Sequence, residues 1–382
     1  MKLVNLQELS KMMINKKLLI ITAVTTALFS TTALGGSVSK YRTTGGNAVE
    51  YRNVHIAPGN GTSYLIPFNE NDQTSHDSKS ADKAQRMVER NQANLTALLI
   101  NKGRIVFESY RAPAKPSSKM HSMSMSKTLT ALVIGNLLCD GKIRSLDDLA
   151  EVYAPRLKGT LHGKTTIRNL LMMASGSAKN GANGQPKPNA YRNIKNQRVS
   201  GLELIKGLTK DRKQGTYFQY NSADTLSLSE ITNTFGGLIR NFDYYIWSQI
   251  GPEIEGSWMV DYENNAVAFA GFSASLKDWG RLGMYTIDMV KGRGGVCMQE
   301  FTTEMNSKLI KNKWKKGKPG YSFSDYGYQT WIMQNGNAWW VGYGGQRVGL
   351  NFELEKVMVV HSSTENYLQE AHDVFNYFAD WD

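Results

Sequence analysis

The chain has 382 residues, enough to bury a large core in one domain or two intimate ones. It carries a formal charge of +12, two cysteines and six histidines, which exclude a disulfide framework, and the histidines form no H-x-H or H-E-x-x-H spacing, so no metal site is expected. There is no P-loop, dinucleotide fingerprint, G-x-S-x-G or nucleic-acid module, so neither a cofactor nor a nucleic-acid partner is expected.

The first 35 residues read as a targeting signal. Lys16-Lys17 precede an apolar run from Leu18 to Phe29, and small residues follow up to Ala33-Leu34-Gly35. This is the order of a secretory signal peptide, and the run is too short to span a bilayer comfortably. Translation from Met12 or Met13 fits the pattern as well. An exported product, periplasmic or extracellular, is expected, with no transmembrane anchor after cleavage. Residues 1–35 hold four lysines against one glutamate, so +9 stays with the remainder. A basic exported protein has affinity for anionic cell-wall polymers.

Residues 36–94 are polar and glycine-rich and read as an irregular N-terminal wrap with one helix near Ala81 to Asn91. Residues 95–382 read as the main domain. Ala97 to Ile100, the turn Asn101-Lys102-Gly103 and Arg104 to Tyr110 form a hairpin. An apolar helix runs from Leu129 to Leu138 and stops at Asp140-Gly141. Cys139 lies in it and is expected to be buried; pairing with Cys297 stays open.

From about residue 146 to residue 264 the pattern is mostly helical with long loops. Ser145-x-x-Asp148 opens one helix, and Thr166 precedes another from Ile167 to Ala174. Ser177 to Asn196 is a loop of a length that usually carries function. Ser275-x-x-Asp278 starts a helix that ends near Gly292. The run of lysines from Lys308 to Lys318 reads as a solvated loop. Strand signals follow at Gln329 to Met333, Ala338 to Val341, Val348 to Phe352 and Val357 to His361, then a helix from Tyr367 to Phe378. The expected class is α+β. A five-stranded antiparallel sheet, built from early and late strands, is flanked by helices, and a helical subdomain is inserted between them.

Three clusters carry chemistry. Ser124-Met125-Ser126-Lys127 opens the apolar helix. The spacing puts Ser124 and Lys127 one turn apart on one face. A serine hydroxyl is a poor nucleophile until a neighbouring base takes its proton, and the helix N-terminus favours the alkoxide. The second cluster surrounds Tyr220, which leads a short polar turn into a helix. A free tyrosine is about one-thousandth phenolate at neutral pH, and a nearby ammonium lowers its pKa. The third is Gly342-Tyr343-Gly344-Gly345-Gln346, a glycine-rich strand end along which a substrate amide fits and which offers an N–H to an oxyanion.

In this order and at these intervals, the clusters resemble those of the serine β-lactamase-like superfamily. That group includes class C β-lactamases, D-alanyl-D-alanine carboxypeptidases, esterases and 6-aminohexanoate-dimer hydrolases, and the look is closest to the last. Ser122 to Lys127, Phe218 to Thr225 and Gly342 to Gln346 carry the resemblance. Asn169 to Gly176, Ser275 to Gly283 and Tyr326 to Trp331 support it. It implies a β-lactamase/transpeptidase-like fold with the site in the cleft between sheet and helical subdomain. It implies Ser124 as the acylated nucleophile, Lys127 as base partner and Tyr220 as proton relay. The N–H groups of Ser124 and Gln346 would form the oxyanion hole, with Gly345, Ser222 and Tyr343 lining the substrate site. A loop tyrosine assists amide substrates in the dimer hydrolases, and Tyr191 is the candidate here.

Two departures matter. Ser222 stands where class C β-lactamases have asparagine, and Tyr343 stands where the third motif has lysine. Arg347 is the nearest cation, with its direction left open by strand alternation. The expected activity is hydrolysis of a small-molecule amide or ester through an acyl-enzyme. Whether Lys127 or Tyr220 is the base stays open. The alternatives are a D-alanyl-D-alanine carboxypeptidase or weak β-lactamase, and a catalytically silent wall-binding protein on the same fold.

Overall fold

The structure, a computed structural model, describes residues 37–41, 49–58, 65–67, 69–178, 193–194, 198–313, 322–363 and 368–380. Its strands are β1 (Ser37–Tyr41), β2 (Val49–Ile56), β3 (Asn94–Asn101), β4 (Arg104–Tyr110), β5 (Met120–His121), β6 (Gly256–Met259), β7 (Phe272–Ala274), β8 (Ile310–Lys311), β9 (Asp325–Tyr326), β10 (Trp331–Ile332), β11 (Ala338–Gly342), β12 (Gln346–Asn351) and β13 (Lys356–Ser362).

The large sheet has the order β4-β3-β13-β12-β11-β10-β9-β8 and is antiparallel throughout. Strands β4, β3, β13, β12, β11 and β10 answer to the expected strand signals, one more than the five-stranded sheet expected, and the two-residue strands β9 and β8 extend it. The Gln329–Met333 signal shrinks to Trp331–Ile332 because Gln329 has φ 55° and turns its side chain inward, where it donates to the carbonyls of Leu170 and Leu171.

Both faces of this sheet are covered. Leu98, Ile100, Val348, Leu350, Val357 and Val359 pack with the helices Ser126–Cys139 and Leu276–Val290. Ala97, Leu99, Trp339, Met358 and Val360 pack with the helices Ser75–Arg90 and Leu368–Ala379. That double burial is why these strands read as nearly continuous apolar runs rather than alternating ones. The Ser75–Arg90 helix starts six residues before the expected Ala81. Thr74 and Asp77 cap it reciprocally, and its first turn is too polar to show periodicity.

A second sheet has the order β1-β2-β6-β7-β5. The segment read as an irregular wrap therefore contributes two strands. Ser145 and Asp148 form a turn rather than a helix start: Ser145 Oγ accepts from the Asp147 N–H, and Asp148 accepts from the Tyr153 hydroxyl. The helix there is Ala150–Tyr153. Thr166 caps Ile167–Leu171 as expected, but that helix ends early, where Met173 adopts φ 53°.

The Ser126–Cys139 helix is apolar on every side and accordingly packs all round, against the helices Ser222–Asn233, Leu238–Tyr245 and Val296–Met305. Its last residue, Cys139, is half-buried and forms a disulfide with Cys297, Cα–Cα 5.6 Å. Among the described residues no helix is long and apolar enough to cross a membrane.

Candidate active site

Strand β5 of the small sheet delivers the chain to the first cluster. The Ser122 N–H continues the pairing by donating to the Phe272 carbonyl, 2.8 Å. The chain then turns sharply. Met123 takes φ 45°, an uncommon conformation for a residue with a side chain, and opens a single 3-10 turn, Met123–Met125, that runs into the Ser126–Cys139 helix.

This turn separates the two nearby serines. Ser126 is fully buried; its Oγ lies 2.6 Å from Ser122 Oγ and accepts from the Phe272 N–H at 3.0 Å. Ser124 is partly exposed, and among the described residues its backbone N–H donates to no group. Ser124 thus presents both a reachable hydroxyl and a free amide.

Lys127 is 1% exposed. Its Nζ lies 2.9 Å from the Phe269 carbonyl, 3.4 Å from Ser124 Oγ and 3.4 Å from Ser222 Oγ. It makes no ion pair among the described residues. Burial alone pushes its pKa well below the ordinary lysine value. The amine is therefore driven toward its neutral form, which holds a lone pair. One N–H goes to the Phe269 carbonyl, and the lone pair is available to the Ser124 hydroxyl. Phe269 acts through its carbonyl and its ring, whose centroid lies 4.9 Å from Nζ.

Tyr220 hydrogen-bonds Ser124 through its hydroxyl. Its ring packs on Trp331, with centroids 5.3 Å apart, and meets Tyr326 edge-on. Burial raises its pKa above the usual phenol value, against smaller lowering effects from Ser124 and the Arg347 charge. Both shifts favour the neutral pair, amine and phenol, over ammonium and phenolate.

The segment bearing Tyr220 is pinned from below. Gln219 Nε2 donates to the Ser177 carbonyl at 2.9 Å, and Asn221 Nδ2 donates to Ser177 Oγ at 2.5 Å. Two residues past Ser222, the buried Asp224 accepts from Ser175 Oγ at 2.7 Å and lies 3.1 Å from His162 Nε2. Sequence reading missed this network, because its members are scattered from His162 to Asp224.

The third cluster closes the β11–β12 hairpin, where Gly342 and Gln346 are the last register pair. A Cβ on Gly342 would stand 2.3 Å from the Ser122 carbonyl oxygen and 3.1 Å from Met123 Cβ. The hairpin end thus abuts the nucleophile turn directly. Gly344 and Gly345 have φ of 79° and 85°, which fits glycine at the tip. Tyr343 is 62% exposed there.

Arg347 does not serve as a cleft cation. It is 2% exposed, and its Nη1 donates to the carbonyls of Gly342 and Gln346 at 2.7 and 2.6 Å. The structure thus brings Ser124, Lys127, Tyr220 and Ser222 together and sets Gly345 and Gln346 on the adjoining hairpin, whereas Tyr191 lies outside the described residues. Among the described residues no group of three or more His, Cys, Asp or Glu side chains is placed to hold a metal ion.

The family model described as Beta-lactamase matches residues 81–375, most of the chain. The chain belongs to the beta-lactamase family. That membership makes it a hydrolase of the amidase or esterase class, as the three clusters imply. It is 25% identical over 285 residues to a 6-aminohexanoate-dimer hydrolase of Paenarthrobacter ureafaciens, covering 70% of this chain and 71% of that one. A protein from Bacillus anthracis, provisionally described as a 6-aminohexanoate-dimer hydrolase, superposes with a TM-score of 0.68 at 22% identity, covering 86% of this chain and 90% of the other. A penicillin binding protein from Bacillus halodurans gives 0.59 at 16% identity, covering 76% and 97%. These two likenesses concern the fold.

Proposed function

We propose that the chain is an exported serine hydrolase that cleaves a small amide or ester through an acyl-enzyme on Ser124. The observation that carries this reading is the buried Lys127 amine, 3.4 Å from Ser124 Oγ and without an ion-pair partner among the described residues. A lysine in that setting is a base rather than a cation.

The Lys127 lone pair takes the hydroxyl proton as Ser124 Oγ bonds to the substrate carbonyl carbon. The carbonyl electron pair moves onto oxygen, where the free Ser124 N–H and, by register, the Gln346 N–H stabilise it. The tetrahedral intermediate collapses as the proton passes from Lys127 through the Tyr220 hydroxyl to the leaving nitrogen or oxygen. Water then gives a proton to Lys127 and attacks the ester. Ser124 Oγ leaves and regains the proton, releasing the acid.

The β11–β12 hairpin favours an uncharged acyl substrate over a carboxylate-bearing β-lactam or D-alanyl peptide, because Tyr343 offers a neutral phenol and Arg347 donates to the backbone. The 6-aminohexanoate-dimer hydrolase relative supports a linear amide. Export rests on the pattern of residues 1–35 and is supported by the Cys139–Cys297 disulfide, which suits an oxidising compartment. A fluorophosphonate probe tests the chemistry: phosphorus bonds to Oγ and fluoride leaves. Peptide mapping should put the label on Ser124, and Ser124→Ala should abolish it. An unlabelled wild-type protein would return the silent-binding reading.

A further inference from the structure

The β11–β12 hairpin raises a question that the motif letters do not answer. A hairpin tip with two glycines at positive φ is intrinsically loose. An oxyanion donor, however, works only if it is held in place before the reaction. Two buried side chains converge on this tip from beneath. The Gln346 carboxamide, 6% exposed, donates through Nε2 to the Gly344 carbonyl at 2.9 Å and to the Ser362 carbonyl of β13 at 2.7 Å. It thereby ties the tip to the next strand. The Arg347 guanidinium donates to the Gly342 and Gln346 carbonyls, the two residues facing each other where the ladder ends. A single terminal nitrogen, Nη1, makes both bonds and so bridges the two strands at the ladder's end. The wall they hold is the one that Gly342 presses against Ser122 and Met123.

We infer that the Gln346 carboxamide and the Arg347 guanidinium are positioning residues that clamp the Tyr343–Gly345 tip, so that the Gln346 backbone N–H is preset against the Ser124 turn. The inference rests on the proposed acyl-enzyme chemistry at Ser124. In this fold region the cation does not meet the substrate; it stiffens the backbone that does. A misplacement of about 1 Å at such a donor costs up to about 10²-fold in rate.

The test uses Gln346→Met and Arg347→Met in the full chain, with a short-chain p-nitrophenyl ester and an arylboronic acid. The boronic acid bonds to Ser124 Oγ, the hydroxyl proton goes to Lys127, and trigonal boron becomes a tetrahedral anion that mimics the intermediate. Both variants should lose about 10–100-fold in kcat with KM within about threefold of wild type. The boronate Ki should rise in step with the fall in kcat/KM. A folded variant with unchanged kcat, or with its loss confined to KM, overturns the inference. If neither variant folds, amide hydrogen exchange of the wild type decides. Amides of residues 344–347 should be protected in the free enzyme, and exchange at open-loop rates overturns the clamp. Ser124→Ala, run in parallel, separates the two levels. If it keeps its ester activity, the acyl-enzyme reading itself has failed.

Discussion

The identity of the base is decided by replacing Lys127 with arginine. Arginine keeps the positive charge and N–H donors for the Phe269 carbonyl, but it does not release a proton at any usable pH. If neutral Lys127 takes the Ser124 proton, Lys127→Arg removes the base as completely as Lys127→Met does. A positioned general base contributes about 10²–10⁴-fold, or about 3–5 kcal/mol of barrier. Both variants should therefore lose kcat/KM on an ester by that amount. If a Tyr220 phenolate were the base, the retained cation would hold it, and the arginine variant would keep most of its rate while the methionine variant failed. Linkage supplies an independent check with a defined sign. Burial lowers the folded pKa of Lys127, so between that value and the ordinary lysine value the unfolded chain binds the extra proton. Wild-type stability accordingly rises with pH through that window, and Lys127→Met, which carries no proton in either state, lacks the slope. Denaturant titrations at several pH values read it directly. An arginine variant retaining more than a tenth of wild-type kcat, or equal stability slopes in wild type and Lys127→Met, would refute the neutral-amine base.

Ser126→Ala should keep esterase activity within a few-fold while losing about 1–2 kcal/mol of stability, because its buried hydroxyl serves Ser122 and the Phe272 N–H; Ser124→Ala should lose several orders of magnitude in rate without that stability cost. Lys127→Met and Tyr220→Phe should be non-additive in kcat, since both act on one proton path; a double variant whose loss equals the sum of two independent losses contradicts this. Cleaving the Cys139–Cys297 bridge by Cys297→Ser should lower stability by up to about 5 kcal/mol, from the 158-residue separation it spans, and leave kcat near wild type at low temperature; thermal melts and ester kinetics check both halves. Nitrocefin should be a poorer substrate than a short-chain ester by kcat/KM, and Tyr343→Lys should improve nitrocefin by about tenfold by adding a charge-assisted bond to its carboxylate. A nitrocefin kcat/KM above that of the ester would show that another cation reaches the cleft.

The sheet was legible where burial on both faces made β3, β12 and β13 apolar, and the nucleophile helix was legible because it is apolar all round. What escaped was polar or irregular. β2 has no apolar run to mark it, the first turn of Ser75–Arg90 is held by a capping box rather than by an apolar face, and the Ser145 signal resolves into a turn through side-chain bonds. At the candidate site the letters identified Ser124, Lys127 and Tyr220. The spacing to Lys127 favoured Ser124 over Ser126; the positive φ of Met123 and the Phe272 pairing add why only Ser124 is reachable. The letters did not show what holds Lys127, since its nearest polar partner is a backbone carbonyl 142 residues away.

Arg347 shows most clearly why residue type and position do not fix a role. By letter it is the nearest substitute for the cation of the third motif, and strand alternation allowed either direction. The structure turns it beneath the hairpin, where its Nη1 donates to both carbonyls at the end of the β11–β12 ladder. A buried guanidinium so engaged still acts at a distance, since its field opposes the burial effect on Tyr220. The charge that other third motifs offer to a substrate carboxylate is here directed at the protein's own backbone. If the clamp presets the Gln346 N–H as proposed, a site with a neutral phenol at Tyr343 is expected to favour acyl groups that bring no charge of their own, and the nitrocefin comparison tests that expectation.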